Sequence, residues 1–466
     1  MTVSLASTLS TALSALQAST LGLATANHNI SNVNTPGYSR QQINLTENPA
    51  TTTVNGSVGN GVKVESITAF RDRFIEARLN QETSSQGRYS SLSSGLQQLE
   101  GIFNETTGDG LSASMDQFFN AFSALANNPE AASARSVVVD DGKALAQEFN
   151  ARAGRLQTLQ QQTDQSVADT VTSINNLASQ IAVLNRKIAG AEVGSDTAND
   201  LRDQRGAAIT QLSQLVDVSS IEDSTGAVQV TIGGGHTLVA GSKADQLVTG
   251  QDANGLTTLN LGGSDITGQI TNGQLAGLLT TRDGAIPQAM SSLNDLAALI
   301  TSKVNAQHEQ GTGLDGSTGI DFFTPSPATN GVNGAAWAMA VNPTVINDLN
   351  KLAASGSGIL TDNTNALALG ALATQTFSTS SSTGTFNQLY GTLVSQAGSQ
   401  SQAAQNNSSI QDAVVQQVQN QRDAVSGVSL DEEAVSIMNY QRLYQSASKV
   451  ISVIDSLTSD LMNMVQ

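Results

Sequence analysis

The two ends of this chain share one seven-residue grammar, and nothing else in the sequence restricts the fold as much. Leu9, Leu16, Leu23 and Ile30 recur every seven residues, with Ala6, Leu13, Thr20 and Asn27 interleaved. That spacing lays a narrow apolar seam along one helix face. Ala12, Ala15, Ala18 and Ala24 flank it with small side chains, which let a neighbouring helix come close while burying little area. At the other end Ile437, Tyr444, Ile451, Thr458 and Val465 alternate with Tyr440, Ala447, Ile454 and Leu461. A third stripe, Leu443, Val450, Leu457 and Met464, steps by seven beside them. The C-terminal helix therefore has more apolar face than one partner covers. Its start is marked by Ser429 as N-cap, with Glu432 three residues on and Asp431 and Glu433 in the first turn. Gly427 breaks the helix before it. The ends are expected to pair with each other or with further copies through Leu9, Leu13, Leu16, Leu23, Ile30, Ile437, Tyr440, Tyr444, Ile451, Ile454 and Leu461.

Between the seams the pattern predicts a helical tract from about Phe70 to Val216, punctuated at "ETTGDGLSAS" and "NNPEAAS", with Ser112 and Asn128 at boundaries. Val171, Ile174, Leu177, Ile181, Leu184 and Ile188, then Ile209, Leu212 and Leu215 across the "AGAEVGSDTANDLRDQR" turn, read as an antiparallel helical hairpin. From Val218 to about Ile270 short alternating runs such as "VQVTI" and "LTTLNL" predict a small β-rich insertion. Helix resumes at "QLAGLLTTRDGAIPQAM". The stretch "TGLDGSTGIDFFTPSPATNGVNG" marks a loop or a second β excursion, and helix returns by about Asn363. The predicted fold is mainly α: coiled-coil terminal helices and an elongated helical-bundle body with an inserted β-rich domain. Its expected parts are 1–35 with 428–466, 36–216 with 281–427, and 217–280. Aromatic residues make up only 4% of the chain, so its cores are expected to rest on aliphatic side chains.

A formal net charge of −18 argues against nucleic-acid and membrane partners. Cysteine is absent, which removes disulfides, thiolate nucleophiles and Cys-ligated metal. No apolar run is long enough to span a bilayer, and the N-terminal sequence lacks the form of a cleaved secretory signal, so any export is expected to use another route. His28, His236 and His308 lie in unrelated contexts, with no metal-ligand spacing. "TIGGGHT" lacks the Lys and Ser/Thr of a phosphate loop and reads as a β-turn. In "NDLRDQR", Asp200, Arg202, Asp203 and Arg205 sit at three- and four-residue spacings, which reads as local capping and ion pairing rather than an acid–base pair. No catalytic centre, cofactor site or metal site is expected.

One stretch is denser in polar groups than a linker needs: "ANHNISNVNTPGYSRQ" places four asparagines before a Thr-Pro-Gly-Tyr turn. Asn29, Asn32 and Asn34 are expected to cap freed carbonyls or to adopt left-handed backbone. Pro36 and Gly37 fit the centre of a type II turn, after which Tyr38 to Leu45 run extended. With Arg40, these residues form the joint between the assembling helices and the body. This stretch resembles the signature of bacterial flagellar axial proteins. "GYSRQ", "VGNGVKVESI", "NDLRDQR", "GQLAGLLTTRD", "VNAQHEQG" to "DFF", and "SGVSLDEEAVSIMNYQRLYQSASKVI" are similar, in order and along the whole chain, to the hook-associated protein 1 family. His28 departs from the asparagine common there, and the chain is shorter than the longest members between "DFFTP" and "LALGAL".

The resemblance implies a non-enzymatic axial component, located extracellularly in the flagellum and exported by a type III route. It would form the hook–filament junction as a helical tier of copies joined by their terminal helices. The partners implied are further copies of the chain, hook protein, hook-associated protein 3, and an export chaperone on the C-terminal helix. The alternatives are another axial protein such as hook-associated protein 3, or a secreted enzyme or adhesin whose site lies in the β insertion.

Overall fold

The computed structural model describes residues 5–53, 56–105, 110–192, 197–223, 225–325, 327, 331, 333–379 and 382–465. Parts of the expected "ETTGDG", 193–196 and "TPSPATNGV" loops, and the extreme chain ends, lie outside these. As the apolar periodicity predicts, the fold is mainly helical: α1 (Leu5–Ser31), α2 (Arg73–Phe103), α3 (Leu111–Leu125), α4 (Ala132–Ala191), α5 (Asn199–Leu215), α6 (Gly273–Thr280), α7 (Ile286–His308), the short α8 (Ala335–Ala338) and α9 (Pro343–Asn347), α10 (Thr364–Ala371), α11 (Phe386–Ser426) and α12 (Leu430–Val465).

The strands are short. β1 (Gln41–Glu47) pairs antiparallel with β4 (Val62–Ala69), and the hairpin of β2 (Thr51–Thr53) and β3 (Gly56–Val58) lies between them in sequence. The expected insertion holds a four-stranded sheet in the order β5 (Ser219–Glu222), β6 (Val228–Ile232), β7 (His236–Ala240), β8 (Lys243–Ala244). A second sheet there has the order β11 (Ser264–Asp265), β10 (Thr257–Leu261), β9 (Val248–Gln251). The "GGG" cluster turns β6 into β7, with Gly233, Gly234 and Gly235 all at positive φ. A small hairpin of β12 (Phe377–Ser378) and β13 (Thr383–Gly384) precedes α11.

The chain divides into two compact units: Met1–Gly87, Thr170–Gly273 and Ile410–Gln466 in one, Arg88–Asp169 and Gln274–Ser409 in the other. This grouping differs from the three expected parts. The β-rich segment 217–280 falls largely in the unit that holds both chain ends, and residues 36–70 add a β hairpin to it. The reason is length: α2, α4 and α11, of 31, 60 and 41 residues, each give residues to both units, so unit boundaries fall inside helices.

In the first unit Val171, Ile174, Ile181 and Ile188 of α4 are fully or almost fully buried, as are Leu212 of α5 and Val230, Leu238 and Val239 of the four-stranded sheet. Asparagines tie this helix to the β segment. The Asn185 carboxamide accepts from Val228 N–H (3.1 Å) and donates to Val228 C=O (2.8 Å). Asn175 does the same to Leu247, at 2.9 Å each way. A carboxamide used in this way reproduces the two hydrogen bonds of a strand partner.

The second unit corrects the expectation of aliphatic cores. Eight of the chain's 11 phenylalanines are buried there: Phe103, Phe118, Phe119, Phe122, Phe149, Phe322, Phe323 and Phe386. Phe118 meets Phe119, Phe122, Phe322 and Phe323 at ring separations of 5.1 to 5.5 Å. The rarity of rings in the composition hides their concentration in one place. Asn305 of α7 pins Phe323 by the same two-point device, at 2.8 Å each way. Between α6 and α7 the residues Thr281–Ala285 form a π turn. Pro287, at the start of α7, has no N–H to return to the carbonyl four residues back, so the ladder widens just upstream. There the buried Arg282 pairs with Asp283 (2.7 Å) and Asp164 (2.6 Å).

His308 at the end of α7 is fully buried and neutral: Nδ1–H donates to Ile320 C=O (2.6 Å) and Nε2 accepts from Ala353 N–H (2.9 Å). Burial pulls its pKa down to about 4. In the unfolded chain the imidazole takes a proton near pH 6.5, in the fold only near 4, so its contribution is complete above about 6.5 and is lost as pH falls through that window. Urea denaturation of the second unit, followed by the fluorescence of its one tryptophan, Trp337, is expected to lose up to about 3 kcal/mol between pH 6.5 and 4 from this group. The His308→Gln variant should be less stable at pH 7 and lack that part of the slope.

Candidate functional site

The joint lies wholly in the first unit and is built by α1, the turn after it, β1, α5 and the α11–α12 break. The turn is as the sequence predicts: Tyr38 N–H donates to Thr35 C=O (3.2 Å) and Gly37 sits at φ +82°. Asn29, buried on the last turn of α1, is its keystone. Its Oδ1 accepts from Gln41 N–H (2.9 Å) and from Tyr38 O–H (2.8 Å), and its Nδ2 donates to Gln41 C=O (2.8 Å). Asn32 Nδ2 caps the His28 carbonyl at 3.0 Å, while Pro36 and Asn34 are exposed. The expected left-handed asparagines are not seen: among the described residues only glycines have positive φ. His28 stacks edge-on against Tyr38, with Nδ1 3.2 Å from its hydroxyl and Nε2 3.7 Å from Asp200. Burial, reinforced by Asp200, Asp203 and Glu433, pushes the Tyr38 phenol well above its usual range, so it stays a donor.

"NDLRDQR" departs from the expectation of local pairing, because its side chains reach far along the chain. Asn199 Nδ2 donates to Ile67 C=O (2.8 Å), and Asp200 accepts from Gln41 Nε2 (2.8 Å). Asp203 accepts from Ser39 N–H (3.1 Å) and Oγ (2.8 Å) and from Arg71 (2.6 Å). Burial raises the Asp203 carboxyl against the opposing pull of Arg71. Arg202 bridges Glu192 (2.6 Å) and Glu222 (2.5 Å). Arg205, whose pKa burial lowers to about 10, donates to Asn185 Oδ1 (2.9 Å) and Gly226 C=O (2.6 Å). The motif is a clasp holding the turn, the first hairpin and the β segment to one helix.

Arg40 completes the joint. Its N–H donates to Ser426 C=O (2.8 Å), and its guanidinium pairs with Glu433 (2.7 Å) and Glu432 (2.5 Å) at the start of α12. Ser429 Oγ accepts from Glu432 N–H at 3.4 Å, as the capping motif predicts, but the Glu432 carboxylate turns to Arg40. From α11, Arg422 donates to Gly37 C=O (2.8 Å) and Tyr38 C=O (3.2 Å). Sequence reading missed Arg71, Asp203 as an anchor for Ser39, Arg422 and Glu433. Their partners lie more than a hundred residues away, and no local spacing signals them.

The seam residues divide. α1 packs on α12 as well as on β1 and β4, and the residues it buries are mostly small: Ala12, Ala18, Ser19, Gly22, Thr25, Ala26 and Asn29. A Cβ on Gly22 would lie 2.5 Å from the Tyr440 ring. Leu9, Leu16, Leu23 and Ile30 are only half-buried, and Leu13 is 44% exposed. On α12, Ala447 and Ile454 are buried and Ile437, Tyr440 and Ile451 half-buried, in line with the predicted face, whereas Tyr444 and Leu461 are exposed. Leu443, Val450, Leu457 and Met464 are exposed as a stripe. The β1–β4 hairpin approaches α1 at Gly61, at φ +82°, where a Cβ would meet Thr11 Cα at 3.2 Å.

The family model for the flagellar hook-associated protein FlgK helical domain matches residues 96–323, and that for the flagellar basal body rod FlgEFG protein C-terminal region matches residues 419–464. The flagellar hook-associated protein 1 of Bacillus subtilis (strain 168) is 28% identical over 493 aligned residues, covering 98% of this chain and 97% of its own length. That of Salmonella typhimurium (strain LT2) is 28% identical over 558, covering 99% and 100%. The chain belongs with the flagellar hook-associated proteins. It is thus a structural part of the bacterial flagellum that serves motility. A solved structure of the flagellar hook junction protein FlgK from Burkholderia pseudomallei shares the fold, with TM-score 0.66 and 19% identity, over 75% of this chain and all of that one.

Removing Arg40 would leave Glu433, only 3% exposed, as a buried carboxylate without its cation. Arg40→Ala is expected to destabilise the first unit by about 2–4 kcal/mol in urea titrations followed by circular dichroism. Glu432→Ala, at an exposed position, should cost under about 1 kcal/mol. Adding Glu433→Gln to Arg40→Ala should recover part of the loss.

Proposed function

We propose that this flagellar hook-associated protein forms the junction between hook and filament, its copies assembling as a helical tier through the terminal helices. The observation that carries this reading is the face of α12 that α1 leaves uncovered. Leu443, Tyr444, Val450, Val453, Leu457 and Leu461 are each 41–52% exposed along one helix. An apolar stripe of that length on a lone chain is a contact surface awaiting neighbours. A groove at the outer end of the helix pair, lined by Leu5, Thr8, Val450, Val453, Ile454 and Leu457, continues it.

The joint is then the element that aims this helix pair. Arg40 and Arg422 tie the turn after α1 to the α11–α12 break, and Arg71 shares Asp203 of α5 with Ser39, so a load on the terminal helices passes to the rest of the first unit through charge-assisted hydrogen bonds. The partners on this reading are further copies, hook protein on one side and hook-associated protein 3 on the other. Export proceeds by the type III route to the cell exterior, with a chaperone covering the exposed stripe of α12 beforehand. The near-complete alignment with hook-associated protein 1 relatives favours this role over that of hook-associated protein 3.

In a strain lacking the native gene, cells are expected to build hooks without attached filaments and to shed flagellin into the medium. The Leu443→Asp, Val450→Asp, Leu457→Asp triple variant should reproduce that defect, because charge on the stripe opposes burial. Its purified monomer should keep wild-type circular dichroism, since those side chains face solvent. Attached filaments at wild-type number in the triple variant would contradict the assignment.

A further inference from the structure

α1 carries a single titratable side chain, His28, and the joint leaves it no neutral form that satisfies both ring nitrogens. The bonds around it run in one direction. Asn29 Nδ2 donates to Gln41 C=O (2.8 Å), which fixes Oδ1 as the acceptor for Gln41 N–H (2.9 Å) and for the Tyr38 hydroxyl (2.8 Å). Tyr38 has one proton to give, and Asn29 receives it; burial and the nearby carboxylates keep the phenol from ionising. Toward His28 the Tyr38 oxygen can therefore only accept, so Nδ1, 3.2 Å away, is the nitrogen that must carry hydrogen. A neutral ring then has its bare lone pair on Nε2, which lies 3.7 Å from Asp200 Oδ2. That contact is repulsive. A proton taken from water onto the Nε2 lone pair turns it into an ion pair, and only the doubly protonated imidazolium satisfies both nitrogens at once.

The surroundings favour the charged ring. His28 sits on the last turn of α1, where the helix carbonyls present partial negative charge. The other charged groups packed around Tyr38 and the turn are already matched. Asp203 has Arg71 (2.6 Å), Glu433 has Arg40 (2.7 Å), and Arg422 pairs with Asp423 (3.2 Å) while donating to the carbonyls of Gly37 and Tyr38. Asp200 is not matched in this way: among the described residues no cation other than His28 stands within ion-pair reach of it. Its Oδ1 accepts from Gln41 Nε2 (2.8 Å), which leaves Oδ2 for the ring.

We propose that His28 is a proton-operated clamp: protonation of Nε2 pairs it with Asp200 and ties the last turn of α1 to α5, so that the joint holds α1 more firmly in acid than at neutral pH. The ion pair closes a circuit, from Asn29 of α1 to Gln41 of β1, to Asp200 of α5, and back to α1 at His28. The sign follows from charge. Below about pH 6.5, where a model imidazole is protonated, the contact attracts, and above it the contact repels. His28 and Asp200 are 41% and 60% exposed, so the effect is one of a few fold rather than orders of magnitude. The clamp is internal to one chain and stands whether or not copies assemble as proposed above.

Hydrogen exchange of the segment from Tyr38 to Gln41, followed by mass spectrometry on the full chain, reads the clamp directly, because the Gln41 amide is held by Asn29 Oδ1 on the same turn of α1. Comparing variants with wild type at one pH cancels the intrinsic pH dependence of exchange. At about pH 5.5 wild type is expected to exchange about threefold more slowly than His28→Asn and than Asp200→Asn, with the double variant no faster than either single one; at about pH 8 the wild type and both single variants should agree. A difference between wild type and His28→Asn of equal size at the two pH values would mark a role in packing alone and overturn the clamp. Wild-type exchange in Asp200→Asn at the lower pH would overturn it as well. Should a variant fail to fold, the wild type decides by itself: about 1 M sodium chloride is expected to speed the exchange more at the lower pH than at the higher, and an equal effect of salt at both would overturn the proposal.

Discussion

Gly22 lies against the ring of Tyr440, and the arrangement of the terminal helices follows from that contact. A helix can approach another this closely only where it offers no side chain, so α1 turns its Ala, Ser and Gly stripe toward α12. Its leucines are thereby left at the flanks, half-covered. Large side chains such as Leu13 of α1 and Leu443 and Tyr444 of α12 stay exposed beside that contact. On the assembly proposed above, those exposed side chains are the ones that neighbouring copies would cover.

The polar joint lies beside that contact, at the end of α1 and the start of α12. A pair of helices held only by small side chains would pivot, and the clasp restricts this with directional bonds. Asn29 imitates a strand partner for Gln41, Asp203 gathers Ser39 and Arg71, and Arg40 spans to Glu433. Hydrogen bonds to charged groups contribute more than neutral ones, roughly 1.5–3 kcal/mol each, and are lost sharply when geometry slips. Asparagine recurs as the fastener: Asn175, Asn185 and Asn305 each grip both backbone groups of one residue.

The periodic helices, the β-rich segment, the turn at Pro36–Gly37 and the α12 cap were legible because each is encoded within a few residues. Of the α12 positions that heptad spacing picks out, Ala447 and Ile454 are buried while Tyr444 and Leu461 are exposed. On α1 the same reasoning favoured leucines over the alanines and Gly22 that make the contact. A periodicity argument ranks positions by hydrophobicity, whereas close helix approach ranks them by smallness. "NDLRDQR" was misread for a related cause: its spacing suits local pairing, but Asp200, Arg202 and Asp203 find partners brought in by tertiary structure. The asparagines of the joint were read as turn formers, although Asn29 acts through its carboxamide while its backbone stays helical.

On the assembly proposed above, the uncovered face of α12 becomes covered in the flagellum. The chain supplies its own probes, for Met438, Met462 and Met464 are 50%, 66% and 81% exposed on that helix, while Met115, Met290 and Met339 are buried in the second unit. Peroxide oxidation read by mass spectrometry, on the purified monomer and on isolated flagella, compares the two sets directly. The three α12 methionines are expected to oxidise fast in the monomer and at least severalfold more slowly in flagella, with the buried three slow in both. Equal oxidation rates for the α12 methionines in the two states would contradict it.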